Sequence, residues 1–267
     1  MKVGRRVKRK VELSACVTAA SEWFRQGHGR ILLERERHDI EEALNCLFGY
    51  HLCQISICRD MDLTQTSRIA HAFSLNPNAC GPDSKDAACC DFHRLPLAPE
   101  SVDVFLLHHT LDYSSTPHQL LVEAVKATIP RGHIIIVGFN PWSIGGAWRA
   151  LKRVFSGKVL WRQQHLRLGR LYDWFALLEL DVVDVKRGHF WPFTQESPAT
   201  ATSGKLERMM RRYQAPWGDY YIVTVRKDVL GAIPLKPQWH EAKLVPLAGV
   251  SRELSGRQAS CSESKKQ

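Results

Sequence analysis

The sequence has no run of eighteen apolar residues, so no membrane-spanning helix is predicted. None of its eight cysteines forms a C-x-x-C pair, and no His-x-x-x-His spacing accompanies them, so the usual pattern of a zinc site is missing. We therefore expect reduced thiols in a cytoplasmic protein that holds no metal. The composition that remains, 44% hydrophobic and 24% charged over 267 residues, is that of an ordinary globular chain.

Acidic residues are missing from one long interval of the chain. None occurs between Glu123 and Asp173, where the cations are Lys126, Arg131, Arg149, Lys152, Arg153, Lys158, Arg162, Arg167 and Arg170. With a net charge of +10, such a segment favours an anionic partner such as a phosphate, an acidic metabolite, a lipid headgroup or nucleic acid. A solvated basic surface that keeps the protein in solution explains the same pattern.

The apolar runs predict an α/β sandwich around a mainly parallel sheet. The clearest unit is a buried strand over 102–108, a helix from 117, a turn at 130–132 and a second strand over 133–139. Further strands are predicted over 50–58, 68–75, 87–90, 181–187 and 217–226, and helices over 38–48, 142–155, 166–180 and about 206–213. The long helix-poor segment before the seventh strand suits an antiparallel edge strand.

One stretch, CDFHRLPLAPESVDVFLLHHTL over 90–111, carries a family resemblance. Asp91 is followed by Leu95-Pro96, by Ser101-Val102-Asp103, and by an apolar strand that ends in histidines. This pattern resembles the class I S-adenosylmethionine-dependent methyltransferases, in particular the small-domain type that includes the ubiquinone- and biotin-pathway enzymes. Ile129-Pro130-Arg131-Gly132 is similar to the family's L-x-P-G-G turn, and Gly138 to Pro141 resemble an uncharacterised bacterial branch of the family.

The resemblance implies a Rossmann-like, seven-stranded sheet with helices on both faces and S-adenosylmethionine as the cofactor. It divides the chain into a basic N-terminal arm with a leading helix (1–37), a methyltransferase-like domain (38–227) and a mostly disordered tail (228–267).

The resemblance also implies which residues contact the cofactor. In open α/β sheets the ligand lies outside the carboxyl ends of the strands. Asp91 would accept a hydrogen bond from the adenine amino group and Phe92 would add apolar contact, whereas the backbone at Leu107 and His108 would lie near the methionine part. An exposed loop acid is the other interpretation of Asp91. Asp103, at the start of its strand, is expected to cap a turn.

Glycine is missing where the family has its cofactor cradle, a glycine-rich loop followed by a helix whose N-terminus meets the amino acid end of the cofactor. The first strand runs Gln54-Ile55-Ser56-Ile57-Cys58, and no glycine occurs between Gly49 and Gly81. Ser56 occupies the place of the first glycine, although serine lacks glycine's access to positive φ. The acid expected after the second strand, which would bind the ribose, is also missing. The fold assignment therefore has more support than the activity.

Methyl transfer needs a positioned acceptor and, for some acceptors, a base. His109 and His108 are the candidate bases, with capping or packing as the alternative, since two adjacent side chains are not expected to face the same way. Tyr113 and Asn140 are candidate substrate-binding residues, although Asn140-Pro141 also suits an ordinary turn.

Three functions remain open from the sequence. The leading hypothesis is a methyltransferase that acts on a small or anionic substrate. The alternative is a methyltransferase-fold protein that has lost activity and binds an anionic partner. Nucleic-acid methylation ranks last, because exposed aromatic residues at a stacking spacing are not evident in the basic segment.

Overall fold

The structure is a computed structural model that describes residues 15–58, 61–77, 87–90, 92, 94–156, 164, 166–188 and 217–228. The basic arm, nearly all of the predicted tail, the helix predicted over about 206–213 and Asp91 lie outside these residues. No helix among the described residues is long and apolar enough to cross a membrane.

Seven described strands form one sheet in the spatial order β3-β2-β1-β4-β5-β7-β6. Their bounds are β1 (His51–Ser56), β2 (His71–Pro77), β3 (Ala87–Cys90), β4 (Val102–His108), β5 (Thr128–Phe139), β6 (Leu180–Gly188) and β7 (Tyr220–Lys227). All pairs from β3 across to β5 are parallel, and β7 is antiparallel to both β5 and β6. The predicted fold class is confirmed. The antiparallel strand lies one place in from the edge, because β7 inserts between β5 and β6.

Six described helices accompany the sheet. They are α1 (residues 15–25), α2 (Gly27–Asn45), α3 (Thr110–Tyr113), α4 (Pro117–Ala127), α5 (Ile144–Ser156) and α6 (Leu168–Leu177). The helix predicted from residue 38 begins at Gly27, and buried Leu32 continues the apolar spacing of Ile40 and Leu44 toward its start. Because α2 runs through residues 37 and 38, the predicted division of the chain at that point falls inside a helix. The domain division itself stays a prediction.

Two hydrophobic clusters cover the two faces of the sheet. The first includes Leu107 of β4 with Leu121 of α4 and Phe175 of α6. The second includes Leu106 of β4 with Phe24 of α1 and Ile40, Leu44 and other residues of α2. Successive side chains of a strand point to opposite faces. Leu107 points to the first cluster, so His108, the next residue, points to the opposite face, which α1 and α2 cover.

The order of the strands reverses between β1 and β4. From β1 the chain continues to β2 and β3 on one side, whereas from β4 it continues to β5 on the other. Ser56 and His108 end these two central strands and are partners in the register. In open α/β sheets this reversal is the place where ligands bind, outside the carboxyl ends of the strands.

The connection from β1 to β2 contains no helix at residues 57, 58 and 61–70, which are its described part. The family resemblance implied a helix whose N-terminus meets the cofactor there. Instead, the Asp62 carboxylate accepts hydrogen bonds from the backbone N–H and the hydroxyl of Thr64, and the Gln54 side chain accepts from the backbone N–H of Leu63. These short-range bonds satisfy backbone groups that a helix would otherwise pair.

The turn predicted at 130–132 lies inside β5 as an irregularity of that strand. Pairing with β4 passes from Thr128 to His133, and Arg131 between them has φ 64°. A Cβ on Gly132 would lie 2.8 Å from the carbonyl oxygen of Asp103. Glycine is therefore needed where the bulge brings β5 against β4.

Candidate functional site

Two histidines close the central strand β4, and both side chains are fully buried. His108 is the last residue of the strand, and His109 caps α3 with φ 53°, in the left-handed region. That backbone conformation interrupts the alternation of the strand, so both rings reach the same carboxylate. The expectation that the two side chains cannot face the same way is therefore wrong.

The shared carboxylate belongs to Glu36 of α2. Its Oε2 lies 3.2 Å from Nε2 of His108, and its Oε1 lies 3.0 Å from Nε2 of His109. All three side chains have zero solvent exposure. We call Glu36, His108 and His109 the His–Glu cluster.

The other nitrogen of each ring also has a polar partner. His108 Nδ1 lies 2.9 Å from Ser56 Oγ, and His109 Nδ1 lies 3.0 Å from Asp112 Oδ2. Asp112 Oδ2 also accepts the backbone N–H of Phe139 at 3.0 Å, which fixes α3 against the end of β5. Every imidazole nitrogen of the cluster is thus held at hydrogen-bonding distance.

Burial and charge act against each other on these groups. Burial raises the pKa of Glu36, but the charge of His109 and hydrogen bonds from both histidines outweigh it and lower the pKa to about 2. Burial lowers the pKa of His109, but Glu36 and Asp112 together raise it to about 9. For His108 burial prevails, and its pKa is lowered. With no ion bound, the cluster at neutral pH is a carboxylate, an imidazolium and a neutral imidazole.

This arrangement disfavours His109 as a base, and the catalytic roles of His109 and His108 stay predictions. An imidazolium whose two N–H groups both face carboxylates has no lone pair with which to take a proton. Phe139 stacks on His109 with ring centroids 3.9 Å apart, and Phe24 lies 5.4 Å from the same ring. His109 is fully buried among these groups, so a methyl acceptor cannot reach its ring in this conformation.

Sequence reasoning missed Glu36 and Asp112. A local signal existed for the first: Glu36 falls at helical spacing between buried Leu32 and Ile40, where an acid requires a buried partner. No comparable signal identified the partners, because His108 lies 72 residues away along the chain. Asp112 belongs to a four-residue helix that apolar spacing does not reveal.

The structure does not bring the residues predicted to contact the cofactor together at one place. Ser56 and His108 meet, but they bond to each other. Phe92 and Leu107 are buried in the first cluster, on the opposite face of the sheet from the His108 ring. Asp91 lies outside the described residues. The roles of these five residues in cofactor binding stay predictions.

The methionine end of the predicted S-adenosylmethionine site does not fit the glycine cradle of the family. Ser56 Oγ accepts the backbone N–H of Cys58 and bonds to His108, while the backbone N–H of Ile57 donates to the carbonyl oxygen of His108 at 3.1 Å. Ile57 and Cys58 are themselves buried. These bonds close the loop on β4.

Asn140, predicted to bind substrate, lies beside a cleft at the carboxyl end of β5. The cleft has a volume of about 690 Å³ and is lined by Asn140, Trp142, Arg167, Leu168, Gly169, Arg170, Asp173 and Arg187. The Asn140 amide donates to the carbonyl oxygen of Gly218 at 2.8 Å, and its Oδ1 accepts the backbone N–H of Trp142. Asn140 therefore shapes this rim, and we call the lined space the arginine cleft.

Two neighbouring residues differ from their sequence-based interpretation. Tyr113, a predicted substrate contact, ends α3 and packs partly buried against the second cluster, and burial raises the pKa of its phenol.

Arg149, counted above among the cations of the acid-free segment, is 6% exposed. Its guanidinium lies 4.5 Å from the Phe139 ring centroid and donates to the carbonyl oxygen of Asp219. It therefore packs against Phe139 and satisfies backbone carbonyl groups instead of facing solvent.

Asp103 holds the start of a neighbouring strand instead of capping a turn of its own. Its Oδ2 accepts the backbone N–H groups of Tyr50 and His51 at 3.1 and 2.8 Å, at the amino end of β1. The residue is therefore remote from the carboxyl ends where the two candidate sites lie.

Comparison with known proteins gives a partial match to one family model, one curated relative and a shared fold. Residues 46–136 match a family model described as a methyltransferase domain. The chain is 27% identical over 245 residues to the uncharacterized protein YafS of Escherichia coli, a match that covers 91% of this chain and 96% of the relative.

Solved structures agree on the fold. An S-adenosylmethionine-dependent methyltransferase of Thermotoga maritima is 15% identical with a TM-score of 0.53, covering 79% of this chain and 96% of that one. A chain from the complex of the Haloferax volcanii methyltransferase activator Trm112 is 15% identical with a TM-score of 0.52, covering 76% and 93%. At these identities the likeness speaks for the fold alone. Residues 46–136 therefore resemble a methyltransferase domain, and the chain has the fold of the class I S-adenosylmethionine-dependent methyltransferases.

Proposed function

We propose that this protein is a cytoplasmic, S-adenosylmethionine-dependent methyltransferase whose acceptor is a small anion bound in the arginine cleft. The family match and the fold support S-adenosylmethionine as the cofactor. The observation that carries the choice of acceptor is the cleft itself, which presents three arginines and one aspartate beside Asn140.

The charges of the cleft favour an anion. Arg167, Arg170 and Arg187 face a single acid, Asp173. A planar guanidinium offers paired N–H donors that match the two oxygens of a carboxylate or phosphate. An anionic acceptor would complement this excess of positive charge among the residues that line the cleft.

Two of the arginines are held by aromatic rings. The Arg167 guanidinium lies 5.1 Å from the Trp142 ring centroid, and that of Arg170 lies 5.4 Å from Trp174. Cation–π contacts of this kind restrict a long side chain without consuming its N–H donors. The cleft is thus partly preorganised, which lowers the entropic cost of binding an anion.

The cleft also lies at the edge of the sheet where the cofactor is expected. Asn140 directly follows β5, which is paired with β4 in parallel, so both strands end at the same edge. Phe139 stacks on His109, and the Arg149 guanidinium lies over the Phe139 ring. The Asn140 wall of the cleft is therefore one strand away from the switch point between β1 and β4.

An anionic acceptor also needs no base. When bound, S-adenosylmethionine supplies an electrophilic methyl group. A carboxylate oxygen is already deprotonated at neutral pH, so the residues of the cleft need only bind and orient it. His109 is then not required as a base, in keeping with its protonated state.

The test compares acceptors that differ in charge. Purified protein is incubated with methyl-labelled S-adenosylmethionine and a panel of carboxylates and phosphates, each beside its neutral amide or alcohol. We expect label in anions and little in their neutral counterparts. Equal labelling of both groups, with cofactor binding intact, would exclude the charge-selective acceptor.

A second function remains, and one observation favours it. The contacts of His108 with Ser56 and with the backbone N–H of Ile57 close the switch point at the methionine end. A protein that keeps this closure in solution would bind anions through the cleft without methyl transfer. Anion binding that persists with no response to S-adenosylmethionine or S-adenosylhomocysteine would identify that binding module.

A further inference from the structure

The His–Glu cluster has the form of a metal site. Nε2 of His108, Nε2 of His109 and a carboxylate oxygen of Glu36 all lie within 4.8 Å of one another. Each residue comes from a different position in the fold: the middle of α2, the last residue of β4 and the cap of α3. Three ligand atoms of types that bind transition metals therefore converge on one buried point.

The spacings match those of a small divalent ion. Zinc bonds to histidine nitrogen and carboxylate oxygen are about 2.0–2.1 Å long, which places two ligands of a tetrahedral site about 3.3 Å apart. The oxygen of Glu36 nearest each ring lies 3.2 Å from His108 Nε2 and 3.0 Å from His109 Nε2. A small movement of the side chains would admit an ion between them.

The second nitrogens of the rings give independent support. A metal-bound histidine almost always donates its other N–H to a carboxylate or another oxygen, which fixes the tautomer. His109 Nδ1 faces Asp112 Oδ2, and His108 Nδ1 faces Ser56 Oγ. Both Nε2 atoms are thereby directed at Glu36 with partners that suit ligand tautomers.

The surroundings suit a closed site. Phe24 lies 5.7 Å from the His108 ring, and Phe139 stacks on His109. All three cluster residues have zero exposure, so a bound ion would be shielded from solvent within the described part of the chain. Two imidazoles with one carboxylate favour zinc or a similar transition ion over magnesium or calcium, which prefer oxygen ligands.

We propose that Glu36, His108 and His109 bind one divalent transition-metal ion of the zinc type, which fastens α2 to the end of β4. This departs from the expectation, drawn from histidine spacing, that the chain holds no metal. Spacing could not find the site, because its third ligand is a glutamate 72 residues before His108. The proposal does not depend on methyl transfer, because it rests on the cluster alone.

The first experiment measures the ion in the intact protein. The full chain is treated with a chelator, refilled with zinc, passed through a desalting column and analysed by elemental mass spectrometry. We expect one zinc per chain and a higher melting temperature than for the chelated protein. No retained zinc, together with no thermal response, would overturn the proposal in favour of a hydrogen-bonded charge cluster.

The second experiment assigns the ion to the cluster. Glu36→Gln is nearly isosteric, and it removes the anionic ligand. We expect it to weaken zinc or cobalt binding at least tenfold and to abolish the cobalt absorption of a nitrogen–oxygen site. Circular dichroism verifies that the variant is folded; if it is not, the cobalt spectrum of the natural chain, which reports its ligands directly, decides.

Two comparison variants separate the cluster from surface binding. His51 and His71 form an exposed pair with their Nδ1 atoms 3.2 Å apart, which is an adventitious place for metal. The double variant His51→Gln/His71→Gln should keep the one tight ion. Asp112→Asn should weaken it about tenfold to a hundredfold through the tautomer of His109. If the surface variant loses the ion and Glu36→Gln keeps it, the metal binds at His51 and His71, and the proposal is overturned.

Discussion

The two halves of the sheet are built differently. On the side of β5, β7 and β6, α4, α5 and α6 connect successive strands, and an open cleft lies at the strand ends. On the side of β1, β2 and β3, no helix occurs between β1 and β2 among the described residues, and the loop after β1 closes on β4. The half around β5, β7 and β6 is thus well developed, whereas the half around β1, β2 and β3 is reduced in its described residues.

Buried charged groups lie where the two halves of the sheet meet. The His–Glu cluster lies at the boundary of the two halves, where it ties α2 to the end of β4. Glycines would leave that boundary open to a cofactor. Here Ser56 and two histidines occupy it, so binding of a ligand and stability of the core compete for one place.

Glu36→Ala should break the boundary most severely. Removal of the carboxylate leaves the His109 imidazolium buried without one of its two anionic partners, which costs about 3–5 kcal/mol of unfolding free energy. Urea unfolding of chelator-treated protein measures this. Glu34→Ala, which removes an exposed partner of Arg30, is the matched control and should cost about 1 kcal/mol or less. Equal losses in both variants would mean that the cluster does not hold the halves together.

Hydrogen exchange should sharpen the contrast between the halves. Amides of β4 and β5 have neighbours on both sides in the sheet and are covered by both clusters. Those of 61–70 lack regular pairing, so we expect them to exchange faster by about two orders of magnitude or more. Native-state exchange read by mass spectrometry gives the answer. Comparable protection would show that the β1–β2 connection is as firmly built as the rest.

Arg170→Ala tests the developed half. Loss of one charge-assisted contact should raise the KM for an anionic acceptor about tenfold and leave kcat nearly unchanged. Steady-state kinetics against the acceptor found in the labelling screen measures both. Arg30→Ala, an exposed arginine of α2, should change neither constant. A fall in kcat alone would place Arg170 at the reacting atoms rather than in anion binding.

Ser56→Ala should have the smallest effect on ligand binding and tests the reduced half. It removes two buried hydrogen bonds, to His108 and from the backbone N–H of Cys58, each worth about 1 kcal/mol. Because these bonds help to close the switch point, we expect affinity for S-adenosylmethionine to stay the same or rise a few-fold. Calorimetric titration measures it. A marked loss of affinity would instead make Ser56 a cofactor contact, as the sequence pattern suggested.

The sequence predicts the developed half best. The unit β4–α4–β5 was found from continuous apolar runs and helical spacing, both of which are local signals. The same signals could not place β7 between β5 and β6, because strand pairing depends on contacts distant in sequence. They also could not reveal α3, which is a single turn.

The candidate sites were predicted only in part. His108, His109 and Ser56 were selected from the strand ends, where α/β folds place ligands, and the structure does bring them together. Their roles depend on Glu36, which no local motif connects to them. The acid-free segment supplies Arg167 and Arg170 of the arginine cleft, but Arg187 comes from β6, which lies beyond that segment.

Binding of S-adenosylmethionine is the most direct test of the proposed function, because methyl transfer requires this cofactor. Calorimetric titration of the intact chain with S-adenosylmethionine and with S-adenosylhomocysteine should show one site per chain. That binding should be weakened in Asp91→Ala and kept in Asp181→Ala, which alters only an exposed pair with Arg226. Silence toward both compounds up to millimolar concentration would contradict the methyltransferase and leave an anion-binding module on the same fold.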